Sequence, residues 1–251
     1  MAKPVNTEAI CLQTRNWRES SKIVTILCQE LGLVNAIARG ARRPKHGFGA
    51  ALDLFVHSQV VLYLRENWDL AVVGSAELLN AHSGIVNDYQ RFVAAATLVS
   101  FIKQIVLRNH SEPKVFQLLK SSLEVLSTNP VQGDFSALIG SFIIKTTTFL
   151  GFRPMLERCV FCYSSLQVLE GDGQSLLGFD LIKGGVVCPD CRSRVKERIG
   201  VADLILLKRL LLTPVAQLVE EKISPRMLKL LNNYAAFHLR AVKGGAFVSN
   251  K

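Results

Sequence analysis

The stretch Cys159-Val160-Phe161-Cys162, answered further along by Cys188-Pro189-Asp190-Cys191, decides how this chain is read. Two Cys-x-x-Cys knuckles are the ligand pattern of a closed tetrahedral zinc site. The two residues inside each pair let both sulfurs turn toward one point, and two pairs fill all positions of the shell. The gap between the knuckles is somewhat longer than the commonest spacing of about 15–20 residues. It reads as a short hairpin, with turns at Gly171-Asp172-Gly173 and Lys183-Gly184-Gly185 and with Leu176-Leu177 and Val186-Val187 as its apolar runs. The expectation is a zinc ribbon in which Cys159, Cys162, Cys188 and Cys191 hold one structural Zn2+.

Other thiol chemistry fits this pattern less well. A thioredoxin-type redox pair uses one Cys-x-x-Cys at the head of a helix, not two. Disulfides need an oxidising compartment. The N-terminal Met1-Ala2-Lys3-Pro4-Val5-Asn6-Thr7-Glu8 is polar with no apolar core behind it, unlike a secretory leader. Catalytic zinc keeps a position open for water and recruits His, Asp or Glu, whereas four thiolates close the shell.

The 251 residues are 49% hydrophobic, enough for one or two cored domains with a small insert. Lys and Arg total 30 against 20 Asp and Glu, a formal charge of +10. That excess makes nucleic acid the leading partner class, with an anionic membrane surface as its competitor. Apolar runs are broken before bilayer length, as by Lys145, Asp203 and Lys208-Arg209. The expected protein is therefore cytoplasmic, with reduced thiols and no membrane partner.

Upstream of the cysteines, Thr7 to Glu77 has strand character. Ala9–Leu12, Ile23–Leu27, Leu33–Ala38, Phe55–Leu64 and Leu70–Val73 are rich in Val and Ile, and Gly32 marks a hairpin turn between the second and third. This is the size of an OB-fold barrel, a scaffold often used on single-stranded nucleic acid, and an SH3-like barrel would give a similar pattern. Cys11 and Cys28 sit in or beside these strands and read as core filler.

Between the third and fourth strands lies Arg39-Gly40-Ala41-Arg42-Arg43-Pro44-Lys45-His46-Gly47. Its glycines and proline keep it irregular, and its crowded cations suit phosphate contact, since each neutralised phosphate releases condensed counterion. A solvated loop that aids solubility is the bland alternative. Arg15, Arg18 and Lys22 around the first turn would extend the patch. Trp17 among them would either stack on bases or lid the barrel end.

After Glu77 the periodicity turns helical. Asp88 heads a helix through Phe92, Ala96, Val99, Ile102 and Val106. Lys114 to Leu126 is next, then Phe135 to Leu150 between Asp134 and Gly151. Further helices are expected over Val201 to Leu212 and from Ser224-Pro225 to about Val242. The fold class is α+β: an N-terminal OB-fold-like β-barrel over 1–80, then an α-helical domain over 81–157 and 195–251. That domain carries the four-cysteine zinc ribbon, 158–194, as an insertion.

Three pieces of sequence resemble the RecO family of bacterial DNA repair proteins. They are the loop Ala38-Arg39-Gly40-Ala41-Arg42-Arg43-Pro44-Lys45, the entry Leu150-Gly151-Phe152-Arg153-Pro154 leading to the first knuckle, and Gly184-Gly185-Val186-Val187-Cys188-Pro189-Asp190-Cys191. The resemblance runs in order through most of the chain, down to a last helix with His238-Leu239. Tyr163 departs from it, standing where many relatives carry Gly after the first cysteine pair. Some relatives lack the cysteines, which implies that the metal is not an active centre.

The resemblance implies a recombination mediator that binds single- and double-stranded DNA and anneals complementary strands. With RecR, it would load RecA onto strands coated by single-strand-binding protein, whose acidic tail it also contacts. Arg39, Arg42, Arg43 and Lys45 match the family's basic barrel loop, and the four cysteines match its zinc ligands. Lys208, Arg209, Arg226 and Lys229, basic positions among apolar helix faces, would suit the acidic tail chemically. Charge at Arg192-Ser193-Arg194-Val195-Lys196 would add a further cationic face.

No catalysis is expected. The chain has no phosphate-cradling Gly-Lys-Thr loop, no obvious carboxylate pair for a nuclease metal and no credible Ser-His-Asp set. His46, His57, His82, His110 and His238 are scattered and read as surface or core polar groups. Two other readings stay open on the residues alone: a zinc-ribbon adaptor that binds only proteins, and a metal-dependent nuclease.

Overall fold

The computed structural model describes residues 3–43, 47–64, 70–108, 110–130, 133–166 and 176–240. Contacts divide the chain into two compact units, Met1–Pro130 and Val131–Lys251.

The first unit is built on five strands: β1 (Lys3–Trp17), β2 (Ser21–Cys28), β3 (Gly32–Ala38), β4 (His57–Leu64) and β5 (Ala71–Asn80). They close a barrel in the order β1-β2-β3-β5-β4. Strand β1 is long because it serves two ladders. Lys3 to Ile10 pairs with β4, Ala9 to Trp17 pairs with β2, and the register shifts between Cys11 and Gln13 where the strand bends. A short parallel pairing, Ala36 with Ala71 and Ile37 with Val72, closes the cylinder. Gly32 at the β2–β3 turn has φ +70°, and a Cβ there would lie 1.9 Å from the His110 carbonyl oxygen, so only glycine fits.

Inward residues of these strands form one apolar core that includes Val24, Ile26, Val34, Val60 and Leu62. Cys11 and Cys28 are part of it, and burial pushes both thiols up to about 12, so they are inert filler as expected. Phe48, Ala51 and Leu52, from the segment after the basic loop, complete the core. Trp17 takes no such role and stands 43% exposed.

Helices α1 (Ser83–Val86), α2 (Tyr89–Ile105) and α3 (Pro113–Thr128) belong to the same unit. The sequence grouping over 81–157 placed them with the later helices instead. Asp88 caps α2 as expected, accepting the Arg91 N–H at 3.0 Å. The Arg91 side chain then donates to the carbonyls of Leu126, Ser127 and Asn129 at the end of α3. One cation thus satisfies three carbonyls at a helix C-terminus, where the backbone dipole favours it.

In the second unit α4 (Ser136–Phe149) is buried almost all round and packs against α5 (Val201–Leu212) and α6 (Pro225–Arg240). Asp134 accepts the Ser136 N–H at 2.7 Å, and Gly151 beyond the helix takes φ +98°. Ser224 caps α6 by accepting the Met227 N–H at 3.1 Å.

Between α4 and α5 lies a three-stranded sheet of order β7-β6-β8, from β6 (Leu176–Asp180), β7 (Gly185–Val187) and β8 (Glu197–Gly200). The β6–β7 hairpin is the one expected at Lys183-Gly184-Gly185; the turn at Gly171-Asp172-Gly173 lies outside the described residues. Strand β8 was not foreseen, because Glu197-Arg198-Ile199-Gly200 has one apolar residue and gives no alternating pattern. Main-chain bonds join the segment after α4 to this hairpin: Met155 N–H to Gly184 O at 2.9 Å and Val186 N–H to Met155 O at 2.9 Å.

Candidate metal centre and nucleic-acid interface

The four cysteines converge. The Sγ atoms of Cys159, Cys162, Cys188 and Cys191 all lie within 4.8 Å of one another, with Cys162 and Cys188 3.6 Å apart. A tetrahedral ion with metal–sulfur bonds of ~2.3 Å sets its sulfurs ~3.8 Å apart, so the cluster fits such an ion. All six cysteines of the chain are free thiols.

Each knuckle is shaped by its own backbone. In the first, Tyr163 N–H bonds Cys159 O and Cys159 N–H bonds Ser164 O, both at 2.9 Å. This turn requires a left-handed residue, and Tyr163 supplies it at φ +61° in the position where glycine would be unstrained. In the second, Cys191 N–H reaches Cys188 O at 3.2 Å, and a 3-10 turn over Arg192–Arg194 leads to β8.

The thiols do not titrate alike. The Ser164 hydroxyl, 3.1 Å from Cys162 Sγ, and the Ser164 backbone bring exposed Cys162 down to about 6. Burial, and then the neighbouring thiols, push Cys191 up to about 12, and burial also raises Cys188. Four crowded sulfurs cannot all be thiolates without a compensating cation, and a bound dication is the chemistry this donor set suits.

A second feature lies on the barrel. The loop after β3 folds onto the β1–β2 turn: Arg42 N–H bonds Ser20 O at 2.9 Å, and its Nη1 reaches Glu19 O at 3.2 Å and Arg18 O at 3.4 Å. Arg18 takes φ +51° to make that turn. Between turn and loop lies an open groove of about 970 Å3, lined by Trp17, Arg18, Glu19, Ile37, Arg39 and Arg43 among others.

Of the residues expected at this interface, the structure gathers Arg18, Arg39 and Arg43 with Trp17 around the groove. Arg42 holds two backbone carbonyls through Nη1 and keeps its charge. Lys22 is paired with Asp53 at 2.8 Å, and Arg15 is exposed on β1 opposite Ile23, away from the lining. Lys45 and His46 lie outside the described residues. Glu19 in the lining was not foreseen, nor was the role of Arg42 as a clasp.

The ribbon gathers cations as well. Phe161, inside the first knuckle, has Lys183 Nζ 5.1 Å and Arg194 Cζ 5.3 Å from its ring centroid. An aromatic residue within Cys-x-x-Cys was the available signal for this grouping. Of the other basic positions singled out on helices, Arg209 pairs with Glu221 and Arg226 donates to the Arg198 carbonyl.

Two family models match the chain in order. The N-terminal model of recombination protein O covers residues 1–82 and the C-terminal model of the same protein covers 86–243. The chain belongs to the RecO family. Among RecO relatives, the DNA repair protein RecO of Symbiobacterium thermophilum is 30% identical over 82% of this chain and 79% of its own length. That of Thermoanaerobacter sp. is 30% identical over 76% of this chain and 72% of its own. The RecO of Prosthecochloris aestuarii, 26% identical, spans 94% of this chain and 92% of its own. The expected resemblance and the expected α+β class are both borne out. Among the described residues no helix is long and apolar enough to cross a membrane.

Proposed function

We propose that this RecO-family chain is a non-enzymatic, cytoplasmic recombination mediator. It binds single- and double-stranded DNA, anneals complementary strands and, together with RecR, assists loading of RecA on strands coated by single-strand-binding protein. The observation that carries this reading is the barrel groove, where Arg18, Arg39 and Arg43 stand beside Trp17.

Annealing is opposed by repulsion between two phosphate backbones. Guanidinium groups reduce it by replacing condensed counterions at each phosphate they meet, a gain that is sequence-independent and salt-dependent. The indole adds a stacking surface for an unpaired base, worth about 1–3 kcal/mol where such stacks have been removed. Arg42 holds the loop against the β1–β2 turn, so the two halves of the groove keep their spacing; Lys45, which follows in sequence, is a further candidate for phosphate contact.

Zn2+ is the metal we assign to the four cysteines, since four thiolates in a closed shell suit it. When bound it supplies structure: it neutralises the thiolates and fixes both knuckles. The acidic tail of single-strand-binding protein would meet a basic face, with Lys229 on α6 as one position.

The test is annealing of complementary oligonucleotides, bare or coated with single-strand-binding protein, alongside a retardation assay in dilute buffer. Retardation and faster annealing are expected. A fully metallated protein that retards no oligonucleotide would instead be an adaptor for acidic protein partners. Cleavage of labelled strands on adding magnesium or manganese would overturn the non-enzymatic reading.

A further inference from the structure

We propose that the cysteine ribbon carries a phosphodiester-binding face of its own, built on Phe161, Lys183 and Arg194 and extended by Arg198 and Arg226. This deepens the DNA-binding reading above and rests on it, but the face belongs to the second compact unit and shares no residue with the barrel groove.

Lys183 comes from the β6–β7 turn, where its N–H bonds Asp180 Oδ1 at 2.6 Å, and Arg194 comes from the 3-10 turn after the second knuckle. Both meet the Phe161 ring, at 5.1 and 5.3 Å from its centroid. Each such cation–ring pair orients a long side chain and so lowers the entropic cost of placing it on a phosphate. Both cations remain exposed.

The arginines beyond them are anchored without being neutralised. Arg198 Nη1 donates to the Arg192 carbonyl at 2.5 Å, and Arg226 donates to the Arg198 carbonyl. A carbonyl fixes a guanidinium and leaves its charge and most of its N–H donors free. Glu197 and Asp203 line a small cavity with Arg198 and Arg226, but Asp203 is engaged by the Gly200 N–H at 2.9 Å. Among the described residues no carboxylate lies within ion-pair distance of Lys183, Arg194, Arg198 or Arg226. Unneutralised like charges gathered on one surface repel unless a polyanion meets them.

The experiment compares wild type, Lys183→Gln/Arg194→Gln, Phe161→Leu and the barrel variant Arg39→Gln/Arg43→Gln. The probes are a labelled oligo-dT strand, titrated at several salt concentrations, and phosphatidylserine vesicles, with metal content and Tm measured for each protein. The ribbon pair is expected to keep metal and Tm while the slope of log K against log salt flattens by about 1.4, about 0.7 for each phosphate left unneutralised. Phe161→Leu is expected to weaken binding severalfold with the slope unchanged, because the charges stay and only their orientation goes. An unchanged slope and affinity in the ribbon pair, with the barrel variant flattened, would overturn this face and leave the DNA-binding reading standing. A ribbon pair that loses binding only to phosphatidylserine vesicles would overturn it in favour of a membrane surface. Failure of the wild type to bind oligo-dT in dilute buffer would sink the DNA-binding reading itself.

Discussion

The hydroxyl of Ser141 donates to the carbonyl of Leu210 at 2.7 Å, in place of the N–H that Pro214 does not have. In a regular helix that carbonyl would receive the N–H of the residue four further on. Ser141 on α4 supplies the missing donor, and Lys145, one turn along, donates to the Thr213 carbonyl at the same helix end. These two polar side chains of α4 are explained by the carbonyls they satisfy.

Ser141→Ala should therefore destabilise the second unit by about 1–3 kcal/mol, the cost of a buried acceptor left unpaired. In a Pro214→Ala background an N–H is available again, and the same change should have a distinctly smaller effect. Urea unfolding of the four proteins of this cycle checks it, and equal effects in both backgrounds would refute the pairing.

Tyr163→Gly should stabilise the metal-loaded protein by about 0.5–1 kcal/mol, since glycine takes positive φ without the Cβ clash. The measurement is Tm together with the rate of metal release to a chelator, which should slow. A lower Tm would mean that the exposed ring contributes more than its backbone costs.

Cys162→Ser should abolish stoichiometric metal binding and lower Tm. Hydrogen exchange should show the loosening confined to residues around the first knuckle, with amides between β6 and β8 still protected. A variant of unchanged Tm that no longer binds DNA would show that the cysteines do more than hold a shape.

On the barrel, Arg39→Ala/Arg43→Ala should flatten the salt dependence of single-strand binding by about 1.4. Arg42→Ala removes a clasp as well as a charge: Nη1 is held by the Glu19 and Arg18 carbonyls, so affinity should fall by more than the slope change of about 0.7 for one lost phosphate contact accounts for. Anisotropy titrations separate the two.

Acid should weaken the first unit. His57 Nε2 lies 2.8 Å from Glu8, and His82 Nδ1 must carry the proton it donates to the Phe55 carbonyl at 2.8 Å. Burial lowers the pKa of both imidazoles, more than their partners raise it. The unfolded chain then takes up protons first. Stability is full above the ordinary value near 6.5 and declines as pH falls through it toward the folded values. Tm should drop between about pH 7.5 and 5.5, and His57→Gln should shrink that drop.

Much of this was legible in the residues. Strand cores announced themselves through Val and Ile runs, helix starts through Asp88 and Ser224-Pro225, and the metal site through paired cysteines. What was not legible depends on neighbours distant in sequence. Phe48, Ala51 and Leu52 look like loop residues until the barrel needs filling, and Lys22 looks free until Asp53 meets it. Arg39, Arg42 and Arg43 are alike in sequence, and only the position of the β1–β2 turn separates the clasp from the groove. Helices 83–128 gave no sign of which unit they would join, because an apolar stripe does not name its partner.

The bonds from Met155 to Gly184 and Val186 tie down the ribbon by peptide groups alone. Peptide groups are present whatever the side chains mutate to, so this seam does not depend directly on any sulfur. A descendant lineage that gave up its cysteines one by one would inherit a hairpin already stitched in place, and its substitutions could be tolerated singly rather than needing to arrive together.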